Sequence, residues 1–299
     1  MTLSRTRQSR GTGLPQITGF YDDDTGSIQY LVANLDTCQA ALMDTVFSFD
    51  PKGAVTNSDS VEEILDFAKS EGLEITWILD THPHADHLIA SSYLKKRLGK
   101  PNAIGAKVLK IAELWRDLYN MPDAFDPTTA LDHLFEDGDS FQIGSLPVKV
   151  MLSPGHTLGS ITYVVGDDAA FVHDTFMQPD AETACADFPG GTAVDFFGSL
   201  QDILSLPEDT RLFVGHDYGS EYRKTPTWES TVAEQRHHNI HVGGGTGEAD
   251  YIDLQGARDK ALSLPDRMLH VLQMNLRAGA LPPSEDDDHR YLKIPLNRF

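Results

Sequence analysis

Apolar residues recur along the chain with two periods, one typical of strands and one typical of helices. Between residues 17 and 46 the segments FYDDDTGSIQYLVAN and CQAALMDTV predict β-strands interrupted by turn-forming Asp, Gly and Asn. SVEEILDFAKSEG predicts a helix, with Val61, Ile64 and Leu65 on one face and Gly72 after its end. ITWILD follows as a short continuous apolar run, which is typical of a strand buried on both faces.

The same patterns continue to the end of the chain. Helices are predicted for LIASSYLKKRLG, KVLKIAELWRDLYN, DFFGSLQDILSLP, TWESTVAEQRHHNIH and ARDKALSLPDRMLHVLQMNLRAG, and strands for SFQIGSLPVKVMLSPG, SITYVVGDDAAFVHD and RLFVGHD. Strands dominate residues 17–80 and 135–216, which favours two packed sheets with helices outside them, an αββα sandwich. We expect one domain over residues 17–299, with a disordered tail at 1–16 and a helical C-terminal appendage from about residue 220.

Charge and cysteine content narrow the class of protein. The chain has 299 residues, with 24 Lys and Arg against 45 Asp and Glu, a formal charge of −21 that would repel nucleic acids and anionic membranes. Its two cysteines, Cys38 and Cys185, are far apart and form no disulfide framework, so a cytoplasmic location is expected. No nucleic-acid or membrane partner is expected, and a homodimer is the default for a soluble enzyme.

The segment THPHADH at residues 81–87 is dense in metal-ligand residues. His82 and His84 share one face of an extended segment, and Asp86 and His87 follow from the next turn. Because four neighbouring polar groups would each need a partner if buried, a cation is the simplest partner for all of them. Imidazole and carboxylate ligands suit zinc, iron, manganese or nickel.

Three further ligand-type residues each follow an apolar strand. His156 lies in SPGHTLGS after VKVML, Asp174 ends AAFVHD, and His216 lies in RLFVGHD. A rigid sheet often presents a functional site on the loops that follow its strands. The sequence therefore predicts that these residues join the THPHADH segment in one metal centre.

The motifs THPHADH, GHTLGS, VHDTF and VGHDY, in this order, resemble those of the metallo-β-lactamase superfamily over residues 17–240. The resemblance implies the αββα sandwich, with metal at the edge of its two sheets. ILDTHPHADHL, SPGHTLGSITYVVGD, the DFPGG at 187–191, TVAEQRHHN and NLRAGALPPSED with YLKIPLN look most like the persulfide dioxygenase branch and its bacterial β-lactamase-like hydrolase relatives.

In that branch the resemblance implies one Fe(II) per chain, bound by His82, His156 and Asp174, which form a facial triad of two imidazoles and one carboxylate. It implies oxidation of glutathione persulfide or another small persulfide by O2 to sulfite and thiol. The matching positions of a second metal in hydrolytic branches, or of an outer shell in the dioxygenases, are His84, Asp86, His87 and His216.

Substrate recognition departs from the pattern of this family at one position. Relatives that use glutathione persulfide carry an Arg where this chain has Cys185, which is either a small filler or a thiol near the pocket. Tyr218 matches the family tyrosine that contacts the thiol ligand. Arg223 and Lys224 are candidates to replace the missing cation, and His173 either tunes the metal ligands or fills space.

Two other functions are compatible with these residues. A dinuclear zinc hydrolase of thioesters or lactones, similar to glyoxalase II, would use all seven ligand positions and two Zn. A metal-stabilised scaffold without activity is the alternative of another class, but open coordination positions would serve no purpose there.

Overall fold

A computed structural model describes residues 2–181, 183–186 and 189–298, so Asp187 and Phe188 of the DFPGG motif lie outside the described residues. The strands are β1 (Leu3–Arg7), β2 (Gln16–Tyr21), β3 (Ile28–Asn34), β4 (Gln39–Met43), β5 (Val46–Asp50), β6 (Val55–Asn57), β7 (Glu74–Leu79), β8 (Leu88–Ile89), β9 (Asn102–Gly105), β10 (His133–Phe135), β11 (Ser140–Ile143), β12 (Leu146–Leu152), β13 (Ile161–Val165), β14 (Ala169–His173), β15 (Arg211–Val214) and β16 (Glu229–Thr231). The helices are α1 (Asp59–Ser70), α2 (Ser91–Leu98), α3 (Val108–Tyr119), α4 (Pro127–Ala130), α5 (Ala193–Leu204), α6 (Val232–His238), α7 (Glu248–Asp259) and α8 (Met268–Asn275), with a 3₁₀ turn at Gly243–Gly245.

The strands form two large sheets and a small one. The first sheet has the order β1-β2-β3-β4-β7-β9-β10, the second β11-β12-β13-β14-β15-β16, and the small sheet β6-β5-β8. Pairing is parallel at β4–β7, β7–β9, β9–β10 and β14–β15. Because parallel strands end at the same edge of a sheet, the loops after β4 and β7, and those after β14 and β15, emerge side by side.

Strand β3 is buried on both of its faces. Tyr30 belongs to the core between the two sheets, where its ring meets those of Phe171 at 5.1 Å and Phe213 at 5.7 Å. Its neighbour Leu31 points the other way, into the core beneath α1 and α2. Both faces of the strand are covered, so every residue of β3 is buried.

Helices cover the outer faces of both sheets. Val61 and Ile64 of α1 and Leu94 of α2 pack on the first sheet, while Phe196 and Leu200 of α5 join the core of the second. The predicted αββα sandwich is therefore confirmed, since each large sheet buries one face against the other sheet and one against helices.

The N-terminal segment corrects an expectation. Residues 3–7, expected within a disordered tail, form β1, which pairs antiparallel with β2. Thr6 and Thr18 share a hydrogen bond of 3.0 Å between their hydroxyls, and the Arg5 guanidinium lies 5.0 Å from the centre of the Trp228 ring. A short polar segment became ordered because the free edge of β2 supplied backbone partners, which its composition does not reveal.

The C-terminal region also differs from the expected appendage. Tyr251 of α7 packs on the rings of Phe196 and Phe197 in α5, and Met268 and Leu272 of α8 belong to the core around α3, so these helices are part of the domain. The single helix expected at 257–279 is two helices, because Pro265 removes a backbone donor between them. Among the described residues after Asn275 no helix or strand is found.

Two other predicted helices begin later than expected. In TWESTVAEQRHHNIH, residues 229–231 form β16, and α6 begins after Thr231, whose side chain and that of Glu234 form a capping box. In LIASSYLKKRLG, Leu88 and Ile89 pair with β5 before α2 begins at Ser91.

No helix within the described parts of the chain is long and apolar enough to cross a bilayer.

Candidate metal centre

The seven predicted ligands lie on loops that follow four strands of the two sheets. The loop after β7 carries His82, and those after β12, β14 and β15 carry His156, Asp174 and His216. The structure thus brings together all of these side chains in two adjoining groups.

The first group contains His82, His156 and Asp174. Their ligand atoms lie within 4.8 Å of one another. Nε2 of His82 and Nε2 of His156 are each 3.5 Å from Oδ2 of Asp174. Two imidazoles and one carboxylate that face one point match the facial triad of non-haem iron sites.

The second group contains His84, Asp86, His87 and His216, again with ligand atoms within 4.8 Å of one another. His216 joins the two groups, because its Nδ1 is 2.5 Å from Oδ1 of Asp174 and its Nε2 is 2.6 Å from Oδ2 of Asp86. The hydroxyl of Ser27 lies at the centre of this group, 2.9 Å from His216 Nε2, 3.0 Å from His87 Nδ1 and 3.2 Å from Asp86 Oδ2.

Local backbone geometry directs two of the ligands. Strand β14 ends in a bulge, and His173 has a φ of 40°, which turns Asp174 out of the strand direction. Gly155 has a φ of 132°, and a Cβ there would lie 2.2 Å from the Cα of Phe196 in α5. Only glycine allows the loop to approach α5 this closely and place His156 at the sheet edge.

Several buried imidazole nitrogens lack a hydrogen-bond partner among the described residues, which indicates a cation-binding site. Nε2 of His82, Nδ1 of His84 and Nε2 of His87 are buried and have no hydrogen-bond partner among the described residues. Buried polar atoms are nearly always satisfied, so an unsatisfied cluster needs a ligand. Neutral imidazole nitrogen and carboxylate oxygen are donors that transition metals prefer, and the residues present therefore fit a metal ion.

Hydrogen bonds from residues outside the two ligand groups orient the candidate ligands. Nδ1 of His156 donates to the carbonyl oxygen of Cys185 at 2.8 Å, which leaves Nε2 available to a metal. Asp44 accepts from the backbone and hydroxyl of Thr81 at 2.7 and 2.9 Å, and it lies 3.2 Å from Nε2 of His84. Asp44 was not predicted as a site residue, although it follows the apolar strand CQAALM as Asp174 follows AAFVH.

The charge state of the centre follows from burial and neighbouring groups. Burial opposes ionisation of Asp44, but its hydrogen bond with His84 prevails and lowers the pKa of Asp44 to about 2. Burial lowers the pKa of His84 to about 3, with His82 and His87 acting in the same direction. At neutral pH Asp44 is therefore charged and His84 neutral, the state in which His84 donates through Nε2 and offers Nδ1 as a ligand.

Asp174 and His216 behave as an ion pair. Burial alone would raise the pKa of Asp174, but the adjacent imidazole of His216 holds that pKa well below its usual range. Burial would likewise lower the pKa of His216, but Asp174 and then Asp86 raise it well above its usual value. The Asp174 carboxylate is thus ionised, as a metal ligand must be.

His173 is not part of either ligand group. Its buried ring lies 5.1 Å from that of His82, and its Nε2 is 2.9 Å from the Thr175 hydroxyl and 3.1 Å from that of Ser153. The His173 ring therefore packs against His82, and its hydrogen bonds stabilise the end of β14.

A cavity of about 1010 Å³ opens onto the metal centre. His156, Asp174 and His216 lie at one end of it, and its walls are largely apolar. Besides these three, the described residues that line it are Ala85, Asp86, Met177, Asp180, Ala181, Ala184, Cys185, Pro189, Asp217, Tyr218, Gly219, Ser220, Glu221, Tyr222, Ile240, Arg258, Leu262, Ser263, Leu264 and Pro265. Pockets of this size accommodate a small organic ligand.

The predicted substrate contacts are only partly found in this cavity. Tyr218 and Cys185 line it, and the Tyr218 ring stacks on His216 at 5.7 Å. Cys185 is half-buried in the wall, so it is not a core filler. Arg223 forms ion pairs with Asp180 and Asp217.

The two cations that could replace the missing arginine lie outside the described lining of the cavity. Neither Arg223 nor Lys224 is among the described residues that line the cavity. Arg223 is held by its two carboxylate partners, and the exposed Lys224 reaches only the carbonyl oxygen of Ser220, at 3.4 Å. Their proximity to His216 in the sequence did not show that Arg223 would pair with two carboxylates, Asp180 and Asp217, which themselves line the cavity.

Comparisons with known proteins agree with this geometry. The model of the metallo-beta-lactamase superfamily matches residues 39–216. The chain is 51% identical over 283 residues to a beta-lactamase hydrolase-like protein of Xylella fastidiosa, which covers 95% of this chain but only 65% of that longer protein. It is 37% identical to glyoxylase B2 of Dictyostelium discoideum, with 94% of this chain and 97% of that protein covered.

Among solved structures, ETHE1 from Myxococcus xanthus superposes with a TM-score of 0.69 at 25% identity, covering 88% of this chain and 98% of that one. The chain therefore belongs to the metallo-beta-lactamase superfamily. The predicted superfamily and fold are confirmed, and the protein is a member of a class of metal-dependent enzymes.

Proposed function

We propose that this protein is a persulfide dioxygenase that uses one Fe(II) per chain, bound by His82, His156 and Asp174. Its substrates would be a low-molecular-weight persulfide and O2. The similarity to ETHE1, which extends over nearly the whole of that protein, supports this branch of the superfamily.

The observation that carries the proposal is the difference between the two ligand groups. In the second group the Ser27 hydroxyl lies within hydrogen-bond distance of Asp86, His87 and His216. In the first group no hydroxyl is shared in this way among the described residues, and Nε2 of His82 has no hydrogen-bond partner there. The unpartnered Nε2 of His82 therefore supports a metal ion in the first group, and the hydrogen bonds of Ser27 support an outer-shell role for Asp86, His87 and His216.

When bound, Fe(II) would supply redox chemistry and open coordination positions for O2 and sulfur. The chain contributes geometry: Cys185 fixes the His156 imidazole through its carbonyl oxygen, and Asp44 fixes Thr81 and His84. Apolar wall residues such as the buried Met177 would limit the access of water to the reacting sulfur.

The proposed reaction balances with water as the third reactant. One persulfide, one O2 and one H2O give one thiol, one sulfite and two protons. The sulfur–sulfur bond breaks, the terminal sulfur is oxidised and O2 is reduced. Tyr218, stacked on His216 at the mouth of the cavity, is placed to contact the thiol part of the substrate.

Oxygen consumption by the iron-loaded protein tests this function. Addition of glutathione persulfide should consume O2 and release sulfite in equal amounts, at about one iron per chain. No O2 consumption at full iron occupancy, with glutathione persulfide and with an uncharged alkyl persulfide, would refute the proposal.

A dinuclear zinc hydrolase is a second candidate, favoured by a specific observation. Nδ1 of His84 and Nε2 of His87 are also buried without a hydrogen-bond partner among the described residues, as expected if a second cation binds there. The names of the relatives, hydrolase-like protein and glyoxylase B2, agree with this alternative. About two zinc ions per chain and rapid cleavage of a glutathione thioester would establish it.

A further inference from the structure

A second cavity, of about 950 Å³, lies apart from the metal centre. Its walls come from α2, from α4 and the loop before it, and from the chain after α8. None of the described residues that line it also lines the cavity at the metal centre. The proposed function makes no use of this space, although a cavity of this size holds a small organic ligand.

Arg277, which follows α8, is the only arginine among the described residues of this second lining. It is half-buried, and its guanidinium lies 5.3 Å from the centre of the ring of Phe125, which is itself buried. Within the described parts of the chain this guanidinium has no carboxylate or carbonyl partner. Its N–H donors are therefore available to a ligand.

A comparison with Arg223 shows what the missing partner means. Burial would lower the pKa of Arg223, but Asp217 and Asp180 raise it above its ordinary value. Burial also lowers the pKa of Arg277, and no carboxylate offsets that effect. The chain has 45 Asp and Glu against 24 Lys and Arg, so acidic residues are not scarce. A half-buried cation without a partner costs free energy of folding, which an anionic ligand would offset.

The other charged residues of the second cavity do not neutralise Arg277. Three acidic residues of the lining are exposed to solvent, where water screens their charge: Asp123, Asp126 and Glu285. Of the two lysines of the lining, Lys95 pairs with Asp132 at 2.9 Å and Lys96 is exposed. Arg277 is thus the half-buried charge of this cavity that remains without a counterion.

We propose that the second cavity binds a small organic anion, whose carboxylate or phosphate group pairs with the guanidinium of Arg277. The planar guanidinium binds either group in a bidentate pair, and partial burial weakens the screening of that pair by water. The apolar body of the ligand would lie against Met121, Pro282 and Pro283, which line the same space. The hydroxyl of Ser92, also in this lining, is a further donor.

Ligand binding by the metal-loaded protein tests the proposal without any turnover. Hexanoate, hexyl phosphate and 1-hexanol share a six-carbon chain, but only the first two are anions. By titration calorimetry the wild type should bind its preferred anion at least about tenfold more tightly than 1-hexanol, and Arg277→Met should reduce this ratio to below about threefold. Arg277→Lys should retain part of the preference, because it keeps the charge but loses the bidentate geometry. The preferred anion tells whether the natural ligand carries a carboxylate or a phosphate.

NMR spectra locate the bound anion, because a metal ion in the other cavity also attracts anions. In the zinc-loaded protein the preferred anion should shift the amide signals of Ser92 and Ala280, and Arg277→Met should abolish these shifts. Shifts confined to Gly219 and Ser220, which line the cavity at the metal centre, would overturn the proposal.

Arg298→Met is the matched control, since it removes the same charge from an exposed arginine that does not line the second cavity. It should leave the binding ratio unchanged. No preference of the wild type for either anion, or the same preference in Arg277→Met, would refute the site.

Two further measurements separate the proposal from other roles of Arg277. Circular dichroism should show that Arg277→Met keeps the wild-type fold, so that a lost contact is not mistaken for a lost fold. A change in its sedimentation coefficient would instead make the second cavity an interface between two chains and overturn the proposal. The outcome is independent of the proposed function, because none of these measurements requires dioxygenase activity.

Discussion

The carboxamide of Asn275 donates hydrogen bonds to the carbonyl oxygens of His84 and His87, at 2.7 and 2.8 Å. Its own oxygen accepts from the backbone N–H of Ile89 at 3.0 Å. Asn275 ends α8, so one buried side chain connects the C-terminal helix to the backbone of the metal-binding loop. The loop therefore depends for its shape on a residue about 190 positions away.

Replacement of Asn275 should weaken both the fold and the metal centre. Asn275→Leu leaves two carbonyl oxygens and one N–H buried without partners, so we expect a loss of about 2–4 kcal/mol in the free energy of unfolding. Urea denaturation measures this loss, and metal analysis after dialysis should show reduced retention. Gln201→Leu, on an exposed part of α5, is the control and should change stability by less than about 0.5 kcal/mol. Full metal retention by Asn275→Leu would contradict the proposed connection.

Removal of single histidines should distinguish one metal from two. If one iron is bound by the first group, His82→Ala should reduce the iron content to below about a tenth of the wild-type value, because a ligand is lost. His84→Ala should retain more than about half of the iron, because an outer-shell contact is lost instead. Elemental analysis of both variants gives the answer. Equal loss in both would favour the dinuclear arrangement.

Stability should fall in mild acid because of His270. Burial lowers the pKa of this half-buried imidazole below its ordinary value of 6.5, and its Nδ1 has no hydrogen-bond partner among the described residues. Below pH 6.5 the unfolded chain therefore takes up a proton that the folded chain resists, and stability is lost as the pH falls through this range towards the folded pKa.

The variant His270→Gln is neutral at every pH, so its stability should change less than that of the wild type between pH 7.5 and pH 5. Denaturant titrations at both pH values measure the difference. His289→Gln, in the exposed C-terminal segment, is the control and should behave as the wild type does. Identical pH dependence of His270→Gln and wild type would contradict this assignment.

Substitution by alanine should have opposite effects on stability at two glycines, Gly155 and Gly198. Gly155 has a positive φ, and its added Cβ would meet backbone atoms of Phe196 at 2.2 and 2.5 Å. Gly155→Ala should cost about 2–4 kcal/mol of stability and should also reduce metal binding through its neighbour His156. Gly198 lies within α5, and a Cβ added there would meet no atom within 4 Å, so Gly198→Ala should stabilise the helix by about 0.5–1 kcal/mol. Thermal unfolding of both variants, with metal analysis, tests the pair.

Most of the candidate ligands could be predicted, because they are concentrated in one segment or directly follow an apolar strand. Four ligand-type residues occur within THPHADH, and His156, Asp174 and His216 each follow an apolar strand. Asp44 also follows a strand and could have been found by the same rule. Ser27 and Asn275 carry no such signal, because a single hydroxyl or amide is ordinary in any segment and acquires its role only from its neighbours.

The errors have physical causes of the same kind. Residues 3–7 were expected to be disordered because their composition is polar, yet the edge of β2 gave their backbone a partner. Arg223 was expected to replace a missing cation because it lies close to His216 in sequence, but its guanidinium is paired with Asp180 and Asp217. In both cases a distant partner decided the outcome.

The sequence by itself determined the layers of the fold and the set of candidate metal ligands, because periodic burial and ligand chemistry are properties of short segments. The tertiary structure alone decided which hydroxyl and which amide surround those ligands. Ser27 and Asn275 come from two separate parts of the chain. Their side chains reach the site only because the packing of sheets and helices sets the direction in which each one points, and that packing depends on contacts across the whole chain.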